Sequence, residues 1–145
     1  MNATLNLILL LLLFEIAVFT FLWNKEQKRK LSYTQLKTWM AQKKKFTLVE
    51  VLVRENYDYG HVPGAINIPA DKFEKIAPKV LKKKDIIVLY CRDKTCMLSK
   101  RCSDYLVQLG YETVYHFPGG KLEWIQRGEP LQTKTGKHCT LAGCF

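Results

Sequence analysis

Asp85-Ile86-Ile87-Val88-Leu89-Tyr90-Cys91-Arg92-Asp93-Lys94-Thr95-Cys96 is the stretch whose reading decides this fold. Its apolar run, bounded by polar residues, has the length and β-branched content of a short buried strand. Met97 to Leu109 reads as a helix, so Cys91 opens a strand-to-helix loop. Such a loop aims backbone N–H groups at whatever lies above the helix N-terminus, which attracts anions and lowers a thiol's pKa. The expectation is a nucleophilic Cys91 thiolate meeting an anionic substrate.

Working outward, Phe46 to Val51, Ala65 to Ile68 and Thr113 to Phe117 are further strands. Helices are expected from Asp71 to Leu81, interrupted by Pro78, and from Leu122 to Arg127. Leu36, Trp39 and Met40 share the i, i+3, i+4 spacing of a helix face within Leu31 to Lys44, with Ser32 or Thr34 as its cap. Strands alternating with helices predict a three-layer α/β domain with a mainly parallel sheet. Ligands in such sheets bind at the carboxyl ends of the strands, which is where Cys91 falls. Residues 132–145 show no periodicity and read as a tail.

The N-terminus is of another kind. Leu5 to Trp23 is almost wholly apolar, broken by Asn6, Glu15 and Thr20. Nineteen helical residues span about 28 Å, close to the hydrocarbon thickness of a bilayer. Glu15 is a charge that the leucine run tolerates. No Lys or Arg precedes the run and no small-x-small pair follows it, which favours an anchor over a cleaved signal. The division is therefore residues 1–24 as transmembrane anchor, 25–45 as a basic juxtamembrane helix, 46–131 as the folded domain and 132–145 as tail.

The formal charge of +10 over 145 residues is unevenly spread. Between Asn24 and Lys45 eight positive side chains stand against Glu26 alone. That cluster argues for a membrane surface and places the domain on the cytoplasmic side. No interleaved aromatic and basic pattern points to nucleic acid. A hydrophobic content of 48% excludes a disordered chain. Five cysteines are an odd count with no scaffold spacing, so free thiols in a reducing compartment are expected.

Three blocks together resemble the rhodanese (sulfurtransferase) domain. The first is Leu48-Val49-Glu50-Val51 with Tyr57-Asp58-Tyr59-Gly60-His61-Val62-Pro63-Gly64-Ala65-Ile66-Asn67-Ile68-Pro69. The second is the strand into Cys91 and its loop. The third is Phe117-Pro118-Gly119-Gly120 with Trp124, Gly128 and Pro130. The match runs from Phe46 to Leu131. It implies a five-stranded parallel sheet between helices, and a Cys91 that takes a sulfane sulfur as persulfide and passes it to a thiol or protein acceptor. The resemblance makes Arg92, Asp93, Lys94, Thr95 and Cys96 the substrate-binding loop; no cofactor and no metal are invoked.

The departures matter as much. Lys94 stands where the family often has glycine, and Cys96 where it has arginine or threonine. Loss of that arginine weakens the case for thiosulfate, an anion it would contact bidentately. Glu50, Leu52 and Asn56 replace the aspartate, arginine and glutamate of a charged network expected to be structural. Met97 falls where a phosphatase of this fold would carry arginine, which disfavours phosphoryl chemistry.

Other residues divide as follows. Cys96 is a candidate resolving thiol, giving the alternative of a Cys91–Cys96 redox switch. A non-catalytic interaction module is the third alternative. Cys102 shares a helix face with Leu98, Leu106 and Leu109 and is assigned to the core, and His61 is assigned a structural role. His138, Cys139 and Cys144 do not make a zinc site by spacing alone. Gly119, Gly120 and Trp124 are read as turn and packing residues.

Overall fold

The computed structural model describes residues 2–27, 29–140 and 143–144 of the chain. It divides into two compact units, Met1–Lys30 and Leu31–Phe145. The first is a single helix, α1 (Asn2–Gln27), in which Leu5–Leu22 is long and apolar enough to cross a membrane by length and composition, a test that a signal sequence also meets.

The second unit begins with α2 (Tyr33–Ala41), followed by β1 (Thr47–Glu50), α3 (Arg54–Tyr59), β2 (Ile66–Asn67), α4 (Phe73–Val80), β3 (Ile86–Tyr90), α5 (Leu98–Gln108), β4 (Thr113–Phe117) and α6 (Gly120–Gln126). The strands pair in parallel in the order β2-β1-β3-β4. Residues alternate between the two faces of a strand, so each strand feeds both cores. Val49, Ile87 and Leu89 pack under Phe73, Ala77 and Leu106, while Leu48, Val88 and Tyr90 pack under Leu36, Phe117 and Trp124. β3 is central and covered on both sides, which is why it reads as an unbroken apolar run.

The expected five-stranded sheet has four strands. The residues beyond α6 form β5 (Leu131–Gln132), β6 (His138–Thr140) and β7 (Gly143–Cys144), a separate antiparallel sheet. Gln132 bridges His61, and Leu131 packs on Gly60, so this segment is drawn over the loop after α3 and away from the main sheet's edge. Part of the segment read as an aperiodic tail is therefore a small sheet; its strands are too short to show periodicity.

Nor does one basic helix run through residues 25–45. Gln27 ends α1, and α2 belongs to the domain, with Leu36 fully buried and Trp39 edge-on to Phe46 and Tyr115. Ser32 caps it: its hydroxyl accepts from the Gln35 N–H, and the Gln35 side chain accepts from the Ser32 N–H, a complete capping box. Helix α3 carries no helical periodicity in the sequence. None of its six residues is buried, so it lacks the apolar stripe from which a helix is read.

Candidate active site

Cys91 follows the last residue of β3, at the carboxyl end of the sheet. Its backbone is gripped from α6: the Lys121 N–H donates to the Cys91 carbonyl at 3.1 Å, and the Leu122 N–H to the Arg92 carbonyl at 2.9 Å. Gly120, at φ +57°, makes this approach possible, because a Cβ there would lie 2.3 Å from the Cys91 carbonyl oxygen. Gly120 thus lets two backbones meet at Cys91, which its assignment as a turn residue did not convey.

Cys91 is wholly buried, and its thiol donates to the Cys96 carbonyl at 3.0 Å, with Ser99 Oγ at 3.4 Å and the Asp93 carbonyl at 3.9 Å. Burial pushes the thiol's pKa up and the hydrogen bond with Cys96 pushes it the same way, while the Ser99 hydroxyl and N–H pull against them. The net direction is upward. The expected lowering is reversed in this closed loop because desolvation outweighs the donors, and the sulfur faces carbonyl oxygens as well as the helix.

Asp93 organises the loop. Its carboxylate accepts from the Thr95 N–H at 2.9 Å, from the Thr95 hydroxyl, and from Arg92 Nε at 2.7 Å. Those bonds hold its pKa down at about 2, so it is an anion throughout the neutral range. Arg92 is exposed but paired with Asp93. Lys94, also exposed, has no ion pair among the described residues. Cys96 is half-buried, and its N–H donates to the Asp93 carbonyl at 3.1 Å. Arg92 to Cys96 therefore form one tight turn around Asp93, with its positive charge partly cancelled.

Below the loop lies a buried polar network. Tyr90 donates its hydroxyl proton to Glu50 at 2.7 Å and accepts from the Val62 N–H at 2.9 Å. Glu50, fully buried, pairs with Lys121 Nζ at 2.8 Å, and the same ammonium donates to the carbonyls of Asn56 at 2.7 Å and Gly60 at 2.6 Å. Burial raises the Glu50 pKa, opposed first by Lys121. Lys121 thus supplies the cation that Leu52 does not, from a different element. Sequence reasoning missed it, although a lone acid inside an apolar strand requires a buried partner. Ser99 was also missed; it lies one turn beyond Cys96, at the start of α5.

The remaining assignments fall outside this centre. Cys102 is nearly buried beside Leu106, and burial lifts its thiol to about 12. His61 stacks on Tyr57, with Nδ1 2.9 Å from the Tyr57 carbonyl. Trp124 donates Nε1–H to the Pro130 carbonyl. Cys91, Cys96 and Cys102 are free, whereas Cys139 is disulfide-bonded, so the thiols are not all free as expected. Cys139 lies opposite Cys144 in the β6–β7 register; the side chains of Cys144 and His138 lie outside the described part.

The chain shares 35% identity over 85 residues with an HTH-type transcriptional regulator of Mycobacterium tuberculosis, covering 59% of this chain and 37% of that one. It is 35% identical over 97 residues to the tRNA uridine(34) hydroxylase of Erwinia tasmaniensis, covering 59% and 27%. It thus spans about a third or less of these relatives' lengths. The human single-domain sulfurtransferase superposes with a TM-score of 0.61 at 23% identity, over 68% of this chain and 96% of that one, which shows a shared fold. The model of the rhodanese-like domain matches residues 32–127, from the cap of α2 to the end of α6. With Cys91 at the carboxyl end of a parallel sheet and that match over most of its length, this chain belongs to the rhodanese-like domain family.

Proposed function

We propose that the domain is a sulfurtransferase or persulfide carrier. Cys91 attacks the sulfane sulfur of a donor, thiosulfate or a persulfide; the new S–S bond forms as the donor's breaks, and the thiol proton leaves with the departing group. Cys91 then passes its outer sulfur to a thiol or protein acceptor. The observation that carries this reading is the placement of Cys91: a free thiol beside Ser99 Oγ, on a loop whose Cys91 and Arg92 carbonyls accept backbone hydrogen bonds from α6, at the strand end where this fold binds ligands. The Ser99 hydroxyl and N–H are the groups that favour the thiolate once the loop opens. Helix α1 anchors the protein in the membrane, and its following basic cluster keeps the domain cytoplasmic.

The test is intact mass after incubation with thiosulfate or glutathione persulfide. Gain of one cyanide-labile sulfur, absent in Cys91→Ser and kept in Cys96→Ser, is expected. A second reading, a Cys91–Cys96 redox switch, is favoured by the Cys96 carbonyl lying on the Cys91 sulfur. It requires loss of two hydrogens under mild oxidant, abolished by either substitution, with no sulfur gain.

A further inference from the structure

Two lysine triplets, far apart in sequence, meet at the end of the main sheet opposite Cys91. Lys43, Lys44 and Lys45 link α2 to β1, and Lys82, Lys83 and Lys84 lie between α4 and β3. β1 and β3 are parallel neighbours with Thr47 opposite Ile87, so both links lie side by side where the strands begin. Lys83 also meets the turn before β4: its carbonyl accepts from the Glu112 N–H at 3.1 Å, and a Cβ on Gly110 would lie 3.8 Å from its Nζ. All six side chains are exposed, and none forms an ion pair among the described residues. Lys37, Lys100 and Lys134, by contrast, each pair with an acid. The acids within these turns are Asp85, half-buried, and Glu112, exposed.

Lys43 stands at φ +53°, one residue past the C-cap of α2. That left-handed position ordinarily falls to glycine or asparagine, so a lysine there gives up a backbone preference for a side chain. Local rules are broken in this way at functional surfaces. Lysine ammoniums are hydrated point charges on flexible stems, which suits a diffuse plane of negative headgroups. A nucleic-acid surface favours arginine forks and free aromatic faces for stacking. These triplets hold no arginine, and the nearby Trp39 is already edge-on to Phe46 and Tyr115 with the Lys44 ammonium 3.5 Å from its centroid. The chain also carries its own apolar span, Leu5–Leu22, which brings headgroups to the domain at high local concentration. The nine residues from Trp23 to Leu31, even as a helix, reach as far as the nine of α2, about 14 Å, so entry at Leu31 does not hold the lysines off a bilayer.

We propose that this lysine rim docks on anionic lipid headgroups and so turns the Cys91 loop, at the opposite end of the same strands, toward the aqueous side. This rests on the anchoring of α1 proposed above. Each lysine brought to such a surface contributes about fivefold to the docking equilibrium, so a few engaged together hold a tethered domain down.

The experiment uses the full chain in nanodiscs of phosphatidylcholine alone or with phosphatidylserine added. Lysines are reductively methylated with formaldehyde, a neutral reagent, and the rate at each is read by peptide mass spectrometry. Lys43–Lys45 and Lys82–Lys84 should react about fivefold or more slowly on the anionic discs, and molar salt should abolish the difference. Lys94 and Lys134, exposed by the Cys91 loop and after β5, should not change. Lys82→Gln, Lys83→Gln and Lys84→Gln together should return Lys43–Lys45 most of the way to their rate on neutral discs. Three results overturn the proposal and leave the anchor standing: equal rates on both discs, equal slowing at every lysine, or slowing of Lys43–Lys45 that the triple variant does not relieve. Slowing by an added RNA duplex on neutral discs, with none from phosphatidylserine, also overturns it and assigns the rim to nucleic acid. A chain that does not stay with the discs overturns both.

Discussion

Replacing Lys121 by methionine removes the cation that pairs, among the described residues, with Glu50, a carboxyl of zero exposure. Breaking a buried ion pair by deleting one partner costs about 3–5 kcal/mol, because the other charge is left desolvated. Against a total stability of roughly 5–15 kcal/mol for a domain of ordinary size, Lys121→Met leaves the fold marginal. The loss has a pH signature. Burial already raises the Glu50 pKa above its ordinary 4.5, and Lys121 is the largest influence opposing that rise. In the variant the folded-state pKa climbs further, so the folded protein binds a proton that the unfolded chain releases. Stability is therefore retained below about pH 4.5 and lost as pH rises through the new folded value. Urea unfolding of the full chain in detergent, at pH 5 and pH 7, should show the larger deficit at pH 7. Adding Glu50→Gln should remove most of the pH dependence. A deficit under about 1 kcal/mol, the range of an exposed pair, or one equal at both pH values and insensitive to Glu50→Gln, refutes the reasoning.

Three further outcomes follow from the same structure. The Cys91 thiol, raised above its ordinary value of 9, should alkylate with iodoacetamide at a midpoint above pH 9, and Ser99→Ala should move that midpoint higher; a midpoint below pH 8 contradicts the buried geometry. Cys102 titrates at about 12 when folded against 9 when unfolded, so the folded state holds the extra proton and stability falls as pH rises between those values; Cys102→Val should flatten that fall in unfolding measured from pH 9 to 11. Gly120→Ala sets a Cβ 2.3 Å from the Cys91 carbonyl at a φ of +57°, and should slow Cys91 sulfur loading, measured by mass, by about tenfold or more, whereas Gly64→Ala, with open space around it, costs only its backbone strain.

Much of this was legible because one periodicity dominated. Ile86–Tyr90 could be neither amphipathic strand nor long helix, and its burial on both faces matches the central parallel strand it became. Cys91 was placed by the same run. What was hidden involved pairing across distance: Glu50 and Lys121 are far apart in sequence and meet only when α6 docks on β1. The direction of the Cys91 pKa was missed for a related reason. The strand-to-helix pattern revealed the helix N-terminus but not the carbonyls of residues 93 and 96, which a tight turn around Asp93 folds toward the sulfur. The fifth main-sheet strand came from resemblance alone, and Leu131–Gln132 instead joins the sheet that covers His61.

The grip on the Cys91 loop comes from the main-chain N–H groups of Lys121 and Leu122, acting on the carbonyls of Cys91 and Arg92. Peptide groups are common to every residue, so the clasp does not read the identities of the side chains at 92–96. Loop length matters elsewhere, since an added or deleted residue would shift the carbonyls of residues 93 and 96 away from the Cys91 sulfur. The loop is in effect an exchangeable cassette: its chemistry can be rewritten at constant length while its attachment stays as it is.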